Sequence, residues 1–193
     1  MDKDTPGFWT AANIFTLLRI LLVPPFVLAL VGRRSGLALA LFTVAGLTDF
    51  LDGMAARLLN QKTQLGVTFD PAADKLLMTA SFITLSLRSV GGPNLIPVWL
   101  TGLVIGRDAA IALGALVIVK AVGSKAFLPT LWGKASTVLQ LGCVFLVLLF
   151  NVLGSTPRLL AWVYVVTFAA TFISGAHYFA CRFWPWIARK KGR

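Results

Sequence analysis

"LWGKASTVLQLGCVFLVLLFNVL", Leu131–Leu153, contains one charged residue, Lys134, near its start. A run this long and this apolar is the length of a helix that crosses a bilayer, which takes about 20 residues. Five further runs have the same character, at roughly Ile14–Val31, Leu37–Leu59, Phe69–Leu87, Leu95–Val119 and Leu159–Phe179. The chain is 58% hydrophobic and 13% charged, with a mean hydropathy of +0.83. A soluble domain carries about a quarter of its residues charged. The expected fold is therefore an all-α membrane protein, with six transmembrane helices in a single bundle and one domain over 1–193. Loop chemistry marks the breaks: Gly32-Arg33-Arg34-Ser35-Gly36, Gly91-Gly92-Pro93-Asn94, Gly123-Ser124-Lys125 and Gly154-Ser155-Thr156-Pro157. No repeat or low-complexity tract interrupts the pattern. The opening MDKDTPGFW lacks a basic n-region, an h-region and a small-residue cleavage site, so no cleavable signal is expected.

Orientation follows from the loop cations, since cytoplasmic loops retain Lys and Arg. With six spans both termini share a side. That side holds Lys3, Lys62, Lys120, Lys125, Lys134, Arg182, Arg189, Lys190, Lys191 and Arg193, against Arg33, Arg34, Arg88 and Arg158 on the other. Both termini are thus expected in the cytoplasm. Trp184 and Trp186 ahead of the basic tail suit an aromatic belt followed by contact with anionic lipid headgroups. The net charge of +11 has this topological explanation, and nothing resembles a nucleic-acid reader. Cys143 and Cys181 lack metal-like spacing and are expected as inert packing residues. His177 is expected as an ordinary polar helix residue.

The acidic residues are different. All seven are Asp, and four of them fall in Leu47–Leu77, "LTDFLDGMAARLLNQKTQLGVTFDPAADKLL". A charge at helix depth costs at least about 2.5–3.5 kcal/mol, so it normally faces a partner, a cavity or an ion. Asp49 and Asp52 stand at i,i+3 on the second helix, Asp70 and Asp74 at i,i+4 on the third, so each pair shares a helix face. A short polar turn, "LLNQKTQLG", returns the chain antiparallel and lets the pairs face each other near the cytoplasmic end. Clustered carboxylates without His or Cys suit Mg²⁺ or Mn²⁺ rather than Zn²⁺. A divalent ion beside cations is the usual equipment of phosphate chemistry. Gly53 and Ala56 leave a groove beside Asp52, and Arg57 offers a fork of donors to a phosphate. Gly66 is expected ahead of the third helix, and Pro71 in its first turn.

Together these residues read Asp49-x2-Asp52-Gly53-x2-Ala56-Arg57-x8-Gly66-x3-Asp70-x3-Asp74. This resembles the signature of the CDP-alcohol phosphatidyltransferase family at all eight fixed positions. The resemblance implies transfer of a substituted phosphate from a CDP-linked lipid to an alcohol, with release of CMP. It implies that Asp49, Asp52, Asp70 and Asp74 surround one or two divalent ions and that Gly53, Ala56, Arg57 and Gly66 contact the CDP moiety. Asp74 would be the general base on the acceptor hydroxyl. It also implies a homodimer, with CDP-diacylglycerol as donor and a small alcohol or a phospholipid as acceptor. A bacterial inner membrane, with the site facing the cytoplasm, is the expected home; a mature mitochondrial form is the alternative.

Three further residues bear on the acceptor: Arg107 and Asp108, an ionisable pair inside the fourth span, and Lys134. Functional or structural, such a pair needs a reason to be there. Phosphatidylglycerophosphate synthases of the family usually show Arg-Glu in the fourth span and Gly-Lys-x-Lys-Thr at the fifth. CMP-forming cardiolipin synthases look closer to AlaGlyLeuThrAsp at 45–49, Ile96-Pro97, Arg107-Asp108, Pro129-Thr130, Lys134, Thr137 and Gln140-Leu141. Ser136 departs from both branches. Phosphatidylglycerol is thus the expected acceptor, with glycerol 3-phosphate as the alternative. Asn13, Arg19 and the Pro24-Pro25 pair, which is expected to kink the helix, resemble the opening of many members; Arg19 either meets lipid phosphate or snorkels to the interface. Two other classes compete. Intramembrane prenyltransferases use aspartate pairs and Mg²⁺ but normally need more helices and a different spacing. A transporter lined by Asp and Arg107 would show broken helices in matching halves, which the sequence lacks.

Overall fold

The computed structural model describes the backbone of residues 11–59, 64–90, 92–122 and 131–183, and the side chains of 17–48, 75–90, 92–114 and 131–181. Six long helices account for most of it: α1 (Ala11–Val31), α2 (Ser35–Leu59), α3 (Gln64–Ser86), α4 (Val98–Val122), α5 (Leu131–Val152) and α6 (Leu159–Tyr178). A 3₁₀ turn at Arg88–Val90 follows α3, and a π turn at Phe179–Phe183 extends α6. Helices of 20 to 25 residues are about 30 Å or more long at 1.5 Å per residue, the thickness of a bilayer's hydrocarbon core. Among the described residues, α5 and the Leu159–Cys181 stretch are the two that combine the length and the apolarity needed to cross a membrane.

The third helix begins earlier than the sequence predicts. It starts at Gln64, so Gly66 lies in its first turn and Pro71 well inside it rather than at its start. Likewise α1 runs through Pro24 and Pro25. A proline inside a helix removes one backbone bond and crowds the carbonyl four residues back, yet both helices continue through theirs.

The chain forms two compact units. In the first, residues 1–95 and 147–156, α1 packs against both α2 and α3. Phe26, Ala29 and Leu30 of α1 and Ala38, Phe42 and Ala45 of α2 are buried, and the Phe26 and Phe42 rings lie 6.0 Å apart. The alanines let two backbones approach closely, which is how helices associate without a hydrophobic driving force between them. Arg33 ends α1 in the left-handed region, φ 56°. The Arg34 N–H donates to Ala29 O at 2.8 Å and the Arg33 N–H to Leu30 O at 3.0 Å, the bond pattern of a Schellman cap. Gly154 takes the same position after α5, with φ 63° and the Ser155 N–H on Phe150 O at 3.1 Å.

That end of α5 is latched to the loop after the 3₁₀ turn. The Asn94 N–H donates to Asn151 Oδ1 at 2.8 Å, and Asn94 Nδ2 donates to Asn151 Oδ1 at 3.1 Å and to Ser155 O at 2.8 Å. Asn151 Nδ2 returns a bond to Asn94 O at 3.1 Å. Gly92 lies close against the latch: a Cβ on it would stand 2.6 Å from Asn151 Nδ2, so that amide would have to shift.

The second unit holds residues 96–146 and 157–193, with α4 packed on α6 and Trp99 set edge-on to Phe168, 5.4 Å between centroids. Here α6 is inside out by the standards of a soluble helix. Thr167, Thr171 and Ser174 are buried, at i, i+4 and i+7, while Trp162, Val165, Val166, Phe168, Phe172 and Ile173 are exposed. Polar groups hide because they bond one another, and the apolar face turns outward because its surroundings are apolar too. This is the pattern expected in lipid.

Candidate functional site

The backbone places Asp49 and Asp52 on α2, with Gly53, Ala56 and Arg57 following on the same helix, and Gly66, Asp70 and Asp74 on α3. Residues 60–63 between the helices, and the side chains of 49–74, lie outside the described residues. The spacing can still be read along the two axes. Asp52 stands seven residues before the end of α2 at Leu59, and Asp70 six residues after the start of α3 at Gln64. At 1.5 Å per residue, each is about 10 Å from the link. The donor set is oxygen only, four carboxylates from i,i+3 and i,i+4 pairs, and its chemistry fits a hard divalent cation. Among the described residues, no group of three or more His, Cys, Asp or Glu comes together.

The fourth-span pair is fully defined. Arg107 Nη1 donates to Asp108 Oδ1 at 2.6 Å, in an ion pair whose side chains are 9% and 19% exposed. Sequence neighbours on a helix point about 100° apart, so the long arginine has to bend round to reach its own neighbour. It also crosses to α6, where Nη2 donates to Ser174 Oγ at 2.6 Å. The stem of Arg107 lies beside Gly175, whose Cβ position is 3.4 Å from Arg107 Cγ. Arg107 Nε is buried and has no hydrogen-bond partner among the described residues. Lys134, on the first turn of α5, is exposed.

Ser136 does not stand alone either. It is fully buried, with Oγ 3.3 Å from Thr171 Oγ1, and Gln140 Nε2 donates to both, at 3.2 and 3.1 Å respectively. The position that departs from both family branches is thus a member of a satisfied polar cluster joining α5 to α6. Ser174, Thr171 and Thr167 escape a reading by motif. Their periodicity, polar residues at i, i+4 and i+7 in an apolar run, is the signal that finds them.

Two smaller expectations change. Arg19 is fully buried in the first unit and engaged there, so it does not snorkel to an interface. Cys143 is buried as expected, but Cys181 is exposed, with Sγ 3.6 Å from His177 Nε2. It sits in the π turn, beyond the packed part of α6.

Comparison with known proteins defines the class. The family model for CDP-alcohol phosphatidyltransferases matches residues 9–183, and the chain belongs to that family. Among individual relatives, a Mycobacterium tuberculosis protein named "Probable phosphatidylglycerophosphate synthase" is 37% identical over 178 residues, 88% of this chain and 79% of that one. Another from the same organism, named "Putative cardiolipin synthase", is 35% identical over 129 residues, 66% of this chain and 59% of the relative's length. The rat "Cardiolipin synthase (CMP-forming)" is 42% identical over 101 residues, 52% of this chain and 32% of its own. The chain therefore spans less than two thirds of the length of these relatives named for cardiolipin synthesis.

Proposed function

We propose that this protein transfers a phosphatidyl group from CDP-diacylglycerol to a glycerol-type acceptor, releasing CMP, and that the acceptor is phosphatidylglycerol. The carrying observation is the eight-position motif, distributed over α2 and α3 inside a family match that takes in both units. The single domain of 1–193, six spans with both termini in the cytoplasm of a bacterial cell, and a homodimer belong to the same reading. In it, Asp49, Asp52, Asp70 and Asp74 hold one or two Mg²⁺ or Mn²⁺ ions. Bound there, the cation neutralises charge on the diphosphate under attack.

The remaining work falls to the chain. Gly53 and Ala56 leave the helix backbone open to the CDP moiety, Gly66 does the same from α3, and Arg57 binds a phosphate oxygen with its paired donors. Asp74 takes the proton from the acceptor hydroxyl as that oxygen bonds to the phosphorus bearing the diacylglycerol, and the phosphoanhydride bond to CMP breaks. Arg107, with Asp108 and Lys134, contacts the acceptor's phosphate. Arg107 supports the phospholipid acceptor in particular. Its charge is balanced by Asp108 at 2.6 Å, which suits a phosphodiester better than the dianion of glycerol 3-phosphate.

Glycerol 3-phosphate is the second reading. It is favoured by the longest of the alignments above, to the relative named for phosphatidylglycerophosphate synthesis. Mass spectrometry of the lipid product after incubation of purified protein with CDP-diacylglycerol, Mg²⁺ and each acceptor separates the two. Cardiolipin formed only with phosphatidylglycerol is the expected result; phosphatidylglycerophosphate alone would assign the other acceptor.

A further inference from the structure

Within the second unit, one contact ties the acceptor arginine to a residue that neither the motif nor the branch patterns include. Ser174 is 1% exposed and accepts from Arg107 Nη2 at 2.6 Å, across the α4–α6 packing. Arg107 would otherwise be held by Asp108 alone, its own neighbour on α4. One partner leaves a guanidinium free to rotate about that contact, whereas two partners on different helices fix its plane. Gly175, next to Ser174, leaves the space in which the stem of Arg107 lies along α6. The remaining donor, Nε, is buried and has no acceptor among the described residues. A guanidinium has five N–H donors, and a buried one left over normally signals an oxygen still to come.

We infer that Ser174 is a positioning residue for the acceptor: it fixes the plane of the Arg107 guanidinium, so that the donors left over meet an acceptor phosphate oxygen. This rests on the reading of Arg107 as an acceptor contact. Ser174 itself touches neither substrate.

The test is steady-state CMP release by full-length protein in detergent, varying acceptor and CDP-diacylglycerol separately, for wild type, Ser174→Ala and Ser174→Thr. Loss of one charge-assisted bond is expected to raise the acceptor KM about tenfold in Ser174→Ala. The kcat and the KM for CDP-diacylglycerol should stay within about twofold of wild type. Ser174→Thr, which keeps the hydroxyl, should restore the acceptor KM. If Ser174→Ala does not fold, Ser174→Cys, of similar size but a weak acceptor, carries the same expectation. An unchanged acceptor KM in a folded variant overturns the positioning role alone. So does a fall in kcat with both KM values rising together, the mark of general structural damage. Wild-type protein that releases no CMP with either acceptor overturns the functional reading and this inference with it.

Discussion

At the scale of single residues, two substitutions probe opposite things. Asp74→Asn removes a proton acceptor while keeping shape and hydrogen-bonding reach. General-base catalysis contributes about 10²–10⁴-fold, so CMP release should fall by at least that range while helical circular dichroism stays as in wild type. Near-wild-type turnover would remove Asp74 as the base. Arg33→Gly probes the backbone. A side chain in the left-handed region costs about 1–2 kcal/mol, partly offset by the greater freedom of glycine in the unfolded chain, about 0.4–1 kcal/mol. The Arg33→Gly protein should melt a few degrees higher in detergent, and a lower Tm would show that Arg33 is not strained. The acidic motif stands out in the sequence because charge in an apolar run has few reasons to exist, and its side chains lie outside the described residues. Arg19 was not: burial and snorkelling leave the same letter in the sequence, and only packing against α1's neighbours decides between them.

Among elements, the latch between the loop after α3 and the end of α5 is the most exposed to test. Gly92→Ala puts a methyl group 2.6 Å from Asn151 Nδ2, so the latch has to open. Asn151→Ala removes three of its four bonds. At about 1 kcal/mol net per bond, each variant should lose roughly 1–3 kcal/mol, read as a lower thermal midpoint with acceptor and donor KM unchanged. Unaltered stability in both would mean that the amide bonds are made equally well elsewhere. The helices themselves could be read from apolar runs, and α5 and α6 agree with that reading to within a residue or two. The start of α3 could not, because Pro71 and Gly66 read as helix punctuation, yet the helix already runs from Gln64. Nor could the contact from Ser174 to Arg107, which depends on how α4 lies against α6 rather than on either sequence.

For the whole molecule, an oxygen-only acidic motif on α2 and α3 goes with helices such as α6, which buries Thr167, Thr171 and Ser174 and exposes its large apolar side chains. A chelator should abolish CMP release, and Mg²⁺ or Mn²⁺ in excess should restore it; full activity in chelator would contradict the carboxylate-bound cation. A membrane-impermeant thiol reagent applied to a Cys143→Ala, Cys181→Ala background with a cysteine added at either terminus should label inverted but not right-side-out vesicles. Labelling of right-side-out vesicles would reverse the orientation drawn from the loop cations. The central claim is the reaction itself. Its most direct measurement is CMP release from cytidine-labelled CDP-diacylglycerol by the purified protein with Mg²⁺ and phosphatidylglycerol. One CMP per cardiolipin formed, lost in Asp74→Asn, is the predicted result. No CMP with either acceptor, together with no binding of CDP-diacylglycerol, would contradict the assignment of the motif to this chemistry.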